Sequence, residues 1–193
     1  MSARDAMLQT IKRARPAPVP LPDLSRWTRD ARSAPDVVNQ FIDAARDAAA
    51  VVIRTTEGAL ATALSEVAAG HGRHVSVLER ATDGHVSHSP HSFADTDLFT
   101  CRAVLGIAEN GAVWLPLSRL RYRSALFLAT RVVVLLNEAS LVADFHAAYA
   151  AIALDDESYG VFVAGPSKTA DIEQSLVVGA HGPKALTVVL VAP

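Results

Sequence analysis

Three stretches of the chain carry apolar residues at every third or fourth position, which is the spacing of an amphipathic helix. Residues that suit helix N-caps precede the first two stretches: Ser33, with Pro35 in the following turn, and Thr55 or Thr56. Gly70 closes the second stretch, as a glycine commonly ends a helix. The pattern therefore predicts three helices. They cover residues 35–49, the stretch from the cap at Thr55 or Thr56 through Leu60, Leu64, Val67 and Ala68 to Gly70, and Ser140–Ile152.

Short apolar runs around these helical stretches predict buried strands. The run Val132–Leu136 contains only valine and leucine, which is typical of a strand covered on both faces. Two runs, 103–108 and 112–115, flank Glu109-Asn110-Gly111 and predict a hairpin. The remaining predicted strands are 50–53, 74–78, 159–164 and 185–191. Because strands alternate with helices, we predict an α/β fold with a mostly parallel sheet, helices on both faces, and ligands at the carboxyl ends of the strands.

The loop after the strand 159–164 concentrates groups that bind anions. It reads Gly165-Pro166-Ser167-Lys168-Thr169, and residues 170–173 are predicted to begin a helix, so that the end of the chain forms a βαβ unit. Amides at a helix start, two hydroxyls and an ammonium group can converge on a phosphate or a carboxylate. The alternative is a well-capped helix start without a ligand, with Asp171 and Glu173 in its first turn. The predicted ligand-binding residues are Gly165, Ser167, Lys168, Thr169 and, in a later turn, Gly182.

Four titratable residues are candidates for acid, base or nucleophilic chemistry. His181 stands in the turn Gly179-Ala180-His181-Gly182-Pro183, close in sequence to Asp171 and Glu173. A histidine can act there as a general acid or base, but an exposed turn that needs glycine explains the same residues. Glu109 at the hairpin tip is either a nucleophile or base at a strand end or a solvated turn residue. The spacing leaves these alternatives open.

Composition excludes several classes of protein. Of the 193 residues, 50% are hydrophobic, and the formal net charge is −2, which indicates a globular domain without bulk attraction for nucleic acid. The single cysteine, Cys101, cannot form an internal disulfide or supply the thiolates of an iron–sulfur cluster. His85, His88 and His91 lie in the long loop 80–98, whose many turn formers fix no common face, so we predict no metal site. We also predict no cofactor bound by this chain.

The N-terminal region differs in composition from the rest. Prolines at positions 16, 18, 20 and 22 alternate with small and apolar residues, and proline fixes φ and removes an amide donor. We predict an extended, proline-rich arm over residues 1–32 and a single domain over residues 33–193. No apolar stretch of signal-peptide length follows the basic residues of the arm. The most apolar region, 125–136, is interrupted by Arg131 and is too short to cross a membrane. We expect a cytoplasmic protein.

The C-terminal motif resembles the ending of the lactate-utilisation (LUD) domain family, and most closely its protein C branch. The family pattern is Gly-Pro-Ser-x-Thr-Ala-Asp-Ile-Glu, then Gly-x-His-Gly-Pro and an apolar strand, and residues 165–173 and 179–183 fit it position by position. Residues 107–112 resemble the family's Ala-Glu-Thr-Gly-Thr turn, with Asn110 and Ala112 in place of its two threonines. The histidine that many relatives carry before the central strand is absent from residues 126–130.

The resemblance implies a fold similar to that of ribose-phosphate isomerases and coenzyme A transferases, the RpiA/NagB-like fold. It also implies a non-iron–sulfur accessory subunit that acts with iron–sulfur partner proteins in the oxidation of L-lactate to pyruvate. The clusters then belong to the partners, and a small carboxylate or phosphate is the expected ligand of the Gly165 loop. The catalytic candidates are Asp171, Glu173, His181 and Glu109.

Two other classes of function stay open. In the first, the chain is a stand-alone isomerase or transferase for a phosphosugar or a coenzyme A ester, with Glu109 as nucleophile or base and Lys168 neutralising the phosphate. In the second, it is a ligand-binding regulatory domain in which the motif only shapes a turn.

Overall fold

The computed structural model describes residues 2–20, 22–23, 36–78, 89–152, 157, 159–172 and 175–193. The chain separates into two compact units, residues 1–32 and 33–193. In the first unit, Ala3–Ala14 forms helix α1, and the N-cap Ser2 and Asp5 exchange hydrogen bonds as a capping box. The expectation of an extended arm is therefore wrong for residues 3–14, because the capping box starts a helix ahead of the prolines. Residues 15–20 have no regular secondary structure.

The described part of the second unit contains four α-helices and eleven strands. The helices are α2 (Val37–Asp47), α3 (Leu60–Ala68), α4 (Arg123–Leu128) and α5 (Phe145–Ala151). The strands are β1 (Val51–Thr56), β2 (His74–Ser76), β3 (Leu98–Arg102), β4 (Leu105–Ile107), β5 (Ala112–Pro116), β6 (Arg131–Asn137), β7 (Leu141–Val142), β8 (Gly160–Val163), β9 (Lys168–Ile172), β10 (Ser175–Val178) and β11 (Ala185–Ala192).

Five of these strands form a parallel sheet in the order β1-β11-β6-β3-β2. Successive residues of β6 point to opposite faces of this sheet. Val132, Val134 and Leu136 pack with α2 and α4 in the main core, whereas Val133 and Leu135 pack toward α3. Both faces are covered, which explains why this strand carries no polar residue between its ends. The predicted α/β class with a mostly parallel sheet is confirmed.

A second sheet, in the order β7-β4-β5-β8, covers one side of the main core. Strands β4 and β5 form the predicted hairpin, with Gly111 at φ +67° in its turn. One face of β5 contributes Val113 and Leu115 to the main core, while Trp114 on the other face joins a smaller apolar cluster with Ala148 of α5. Helix α5 is therefore the outer layer over this sheet.

The end of the chain differs most from the prediction. Residues 168–172 form strand β9 instead of beginning a helix, and β9 pairs antiparallel with β10 in a separate two-stranded sheet. The segment lacks apolar residues at helical spacing, and its second half, Leu176 to Val178, is rich in strand-forming residues. The predicted βαβ unit is therefore wrong. The final strand, predicted over 185–191, is confirmed as β11.

Smaller corrections concern helix starts. The apolar spacing over 140–152 produces the short strand β7 and then α5, because the Asp144 carboxylate accepts a hydrogen bond from the Ala147 amide and starts a new helix. Asp36, not Ser33, is the N-cap of α2. Thr56 precedes a 3₁₀ turn and makes no capping hydrogen bond with its side chain. None of the helices in the described ranges is long and apolar enough to cross a membrane.

Candidate functional site

The two segments of the C-terminal motif, 165–169 and 179–183, lie against each other. The Ser167 amide donates a hydrogen bond to the Pro183 carbonyl at 2.9 Å, and the Gly179 amide donates to the Ser167 carbonyl at 2.8 Å. Gly182 faces Ser167 so closely that a Cβ on this glycine would lie 3.0 Å from the Ser167 Cβ. Backbone hydrogen bonds and the absence of a side chain at Gly182 therefore join the two segments into one structural unit.

The Gly165 loop is fixed to the C-terminal end of helix α2. Gly165 has φ +69°, and a Cβ there would lie 1.8 Å from the Ala48 carbonyl oxygen, so only glycine fits. The Lys168 Nζ donates a hydrogen bond to the same oxygen at 2.6 Å. A cation at the C-terminal end of a helix satisfies a free carbonyl and complements the helix dipole. Lys168 is thus used to cap α2, a role that the sequence did not predict.

A cleft of about 320 Å³ lies beside this unit. Its floor is formed by Val132 of β6 and Leu186 of β11, which are paired across the sheet. The polar side chains that line it are Ser167 and His181, and neither has a hydrogen-bond partner among the residues that the structure describes. The other lining residues are Leu126, Phe127, Val161, Phe162, Val163, Ala164, Gly165, Pro166, Gly182 and Pro183. An apolar cleft with a few unpartnered polar groups is the usual form of a small-molecule site.

The cleft lies at the amino ends of the parallel strands. Val132 and Leu186 are the second residues of β6 and β11, so both strands run away from the cleft. The general expectation of a site at the carboxyl ends does not describe this cleft, because the motif now precedes β11 as a hairpin and a turn instead of following a strand into a helix. Strand β8, which leads into Gly165, supplies a wall that the sequence analysis did not predict, although the order of the chain pointed to it.

The remaining motif residues have different surroundings. Thr169 lies in β9 opposite Val177 and is half-buried. Asp171 also lies in β9, and Glu173 falls outside the residues that the structure describes. Because residues 168–172 form a strand, Asp171 does not lie in the first turn of a helix. Their catalytic roles stay predictions.

Glu109 and Asn110, in the β4–β5 turn, both accept hydrogen bonds from backbone amides. The exposed Glu109 carboxylate accepts a hydrogen bond from the Phe145 amide at 3.2 Å, at the start of α5. The Asn110 Oδ1 accepts from the Ala112 amide at 3.1 Å, which is an Asx turn. Asn110 in place of the family threonine therefore still closes the turn. This part of the chain does not contribute to the cleft described above.

Metal and thiol chemistry find no support in the described ranges. No group of three or more His, Cys, Asp or Glu side chains there is arranged to hold a metal ion. His85 and His88 fall outside the described residues, and His91 lies in the 3₁₀ turn Pro90–Phe93. Cys101 is fully buried in the main core, and burial raises the pKa of its thiol to about 12. The thiolate is therefore not formed at neutral pH, as expected for a packing residue.

Sequence comparisons identify the family of this chain and proteins that are similar to it. The sequence model of the LUD domain matches residues 26–191. A similar curated protein is "Lactate utilization protein C" of Anoxybacillus flavithermus, 37% identical over 86 residues. A second protein of that name, from Oceanobacillus iheyensis, is 34% identical over 92 residues. Each match covers 44% of this chain and only 39% of the length of the relative.

The fold also has a counterpart among solved structures. The crystal structure at 1.70 Å resolution of a DUF162 family protein from Deinococcus radiodurans is similar to this chain with a TM-score of 0.62 and 16% identity. The similarity covers 82% of this chain and 98% of that one. At this identity the likeness concerns the fold alone, and it is consistent with the RpiA/NagB-like fold.

Proposed function

This chain belongs to the LUD domain family, and we propose that it is the non-iron–sulfur accessory subunit of an L-lactate oxidation system. The observation that carries this proposal is the match to two proteins named "Lactate utilization protein C". In this role the chain acts in the cytoplasm together with iron–sulfur proteins that pass on the two electrons released when L-lactate becomes pyruvate.

The cysteine content supports this division of labour. An iron–sulfur cluster requires several thiolate ligands. The 193 residues contain one cysteine, and burial holds its thiol protonated at neutral pH. Redox clusters therefore belong to partner proteins, and this chain contributes a binding surface or a ligand site.

The cleft is the part of the chain that we assign to this role. The two segments that carry the family resemblance form its polar side, and the hydrogen bonds between them hold that side together. Ser167 and His181 are the side chains that remain unpartnered there within the described part of the chain. We assign ligand contact to these two residues and positioning of the loop to Gly165 and Lys168.

Complementation of a deletion strain tests the proposal. L-lactate-dependent electron transfer is measured in extracts of the deletion strain that carry wild type, Ser167→Ala, His181→Ala, Asp171→Asn or no copy. We expect no activity without the gene, full activity with wild type, and at least a fivefold loss with the two cleft variants. Asp171→Asn reports separately on the β9 carboxylate. Unchanged lactate oxidation in the deletion strain, with no duplicate gene present, contradicts the proposal.

The stand-alone enzyme alternative loses its two principal residues. It requires Lys168 to neutralise a phosphate and Glu109 to act as nucleophile or base, but both side chains cap helices. The two side chains also do not share one site, because Lys168 contacts the end of α2 whereas Glu109 contacts the start of α5. Turnover of a phosphosugar or a coenzyme A ester by the purified chain alone would restore this alternative.

A further inference from the structure

The size of the cleft exceeds what lactate needs. Lactate has six non-hydrogen atoms and covers only part of the apolar surface that lines the cleft. The cleft measures about 320 Å³, and its floor and walls come from residues that also pack in the main core, such as Leu186, Val161 and Val163. A ligand that fills it must therefore bring hydrocarbon to these walls.

The charge of the lining also selects a class of ligand. No Lys, Arg, Asp or Glu lines the described cleft, and Lys168 is held by the Ala48 carbonyl. Among the described lining residues only His181 can carry a positive charge, so an anion on the apolar floor would lose hydration without a fixed cation beside it. A hydroxyl or carbonyl oxygen needs only one or two hydrogen bonds. Ser167 and His181 can each donate or accept them.

We propose that this cleft binds an uncharged ligand of ring size, an aromatic or branched hydrocarbon that carries a single hydroxyl or carbonyl oxygen. The hydrocarbon lies on Val132 and Leu186, and the oxygen is hydrogen-bonded by Ser167 and His181 on the exposed side. The inference rests on the proposed function in using the same cleft, and it means that Ser167 and His181 contribute to lactate oxidation by holding this uncharged ligand and not lactate itself.

Ligand-observed NMR on the full chain tests this inference. The probes are benzyl alcohol, toluene, lactate and inorganic phosphate, each titrated separately, with saturation-transfer signals giving the dissociation constants. We expect benzyl alcohol to bind saturably, toluene to bind several-fold more weakly because it lacks the oxygen, and lactate and phosphate to show no saturation in the same range.

Two kinds of variant locate the binding. Ala164 lines the cleft and is exposed, so Ala164→Phe fills the cleft from its rim without disturbing the core. We expect at least a tenfold loss of benzyl alcohol affinity, while the matched Ala151→Phe, on an exposed position of α5, binds as wild type. Ser167→Ala should lower the affinity for benzyl alcohol about three- to tenfold, the range for one lost hydrogen bond, and leave the affinity for toluene unchanged.

The outcomes separate this inference from the proposed function. Saturable binding of lactate or phosphate in preference to benzyl alcohol, no binding of either aromatic probe, or unchanged binding in a folded Ala164→Phe variant each overturns the inference. An unchanged circular dichroism spectrum establishes that the Ala164→Phe variant is folded. If it is not folded, the benzyl alcohol affinity of Ser167→Ala tests the inference instead. Lactate oxidation in the deletion strain is measured independently, so failure of one proposal does not imply failure of the other.

Discussion

Two turns of the domain press a glycine against helix α2, and both glycines are in the left-handed region. At Gly111, with φ +67°, a Cβ would lie 2.3 Å from the Ala45 nitrogen. At Gly165, with φ +69°, it would lie 1.8 Å from the Ala48 oxygen. The same backbone device therefore positions the β4–β5 hairpin and the C-terminal motif on neighbouring turns of one helix.

The polar side chains around the two turns differ. At the hairpin, Glu109 and Asn110 are both used in hydrogen bonds to backbone amides. At the C-terminal motif, Lys168 is used in the same way, but Ser167 and His181 have no partner within the described residues and line an apolar cleft. The comparison teaches that a glycine turn alone does not mark a site. Polar groups that the fold leaves unpaired beside an apolar cleft are the better indication.

The largest effect on stability is expected from adding a methyl group at Gly165. In Gly165→Ala the new methyl group meets the Ala48 carbonyl at 1.8 Å and the backbone keeps a positive φ, so we expect a loss of about 3 kcal/mol or more in the free energy of unfolding. Gly111→Ala should behave similarly, because its obstruction is also backbone. Urea unfolding of the purified variants measures both losses.

Gly70 provides the matched control for these two glycines. It has φ +76°, but a Cβ there would meet nothing within 4 Å. Gly70→Ala therefore reports the conformational strain alone, about 1–2 kcal/mol. A loss in Gly165→Ala no larger than in Gly70→Ala would mean that the contact with Ala48 is not a close one. The comparison between the two turns would then lose its structural basis.

The hairpin and the central sheet could be predicted from the sequence, because local signals and tertiary structure agree there. Asn110-Gly111 is a strong turn signal between two apolar runs, and the composition of Val132–Leu136 indicates a strand covered on both faces. The hairpin of β9 and β10 could not be predicted in the same way. Ser167 followed by Asp171 is a good helix start by local rules, but no apolar residues at helical spacing follow it, and the pairing of β9 with β10 makes the segment a strand.

The candidate site could be predicted in part. The motif pointed to Gly165, Ser167, His181 and Gly182, and the structure places all four around one cleft. The sequence could not show that Lys168 reaches the end of α2, since the two lie 120 residues apart. Nor could it show that Phe127 and strand β8 supply the walls. Long-range contacts of this kind depend on how the sheets pack, which local spacing does not encode.

The end of α2 itself allows a stabilising substitution. Ala49 is exposed at φ +67°, and the amides of Ala49 and Ala50 donate to the carbonyls of Arg46 and Ala45, which is a Schellman motif with alanine where glycine is usual. Ala49→Gly relieves the strain of the left-handed backbone conformation. We expect the free energy of unfolding to rise by about 1 kcal/mol, which thermal unfolding measures. The Gly165 turn packs next to this point, so unchanged benzyl alcohol affinity in Ala49→Gly is expected too.

Lys168→Met separates capping from ligand binding at the second turn. The variant keeps the aliphatic stem but removes the hydrogen bond to the Ala48 carbonyl, and we expect a loss of about 0.5–1 kcal/mol in unfolding free energy. Benzyl alcohol binding and lactate oxidation should fall less than in Ser167→Ala, because Gly165 still holds the loop against the end of α2. If the variant keeps its stability but loses a phosphate or carboxylate ligand, Lys168 serves the anion that the sequence analysis expected there.

Glu109→Ala makes the smallest change and tests the first turn directly. The variant removes the acceptor for the Phe145 amide, while Asp144 still accepts from the Ala147 amide, so α5 keeps one of its two capping carboxylates. We therefore expect a loss of only about 0.5 kcal/mol, at the lower end for a helix cap. A nucleophile or general base would behave differently, because its removal lowers the rate by two orders of magnitude or more without a matching loss of stability. Lactate-dependent electron transfer by a strain that carries Glu109→Ala distinguishes the two roles, with Ser167→Ala assayed alongside. Full activity in Glu109→Ala and reduced activity in Ser167→Ala would assign function to the second turn and structure to the first.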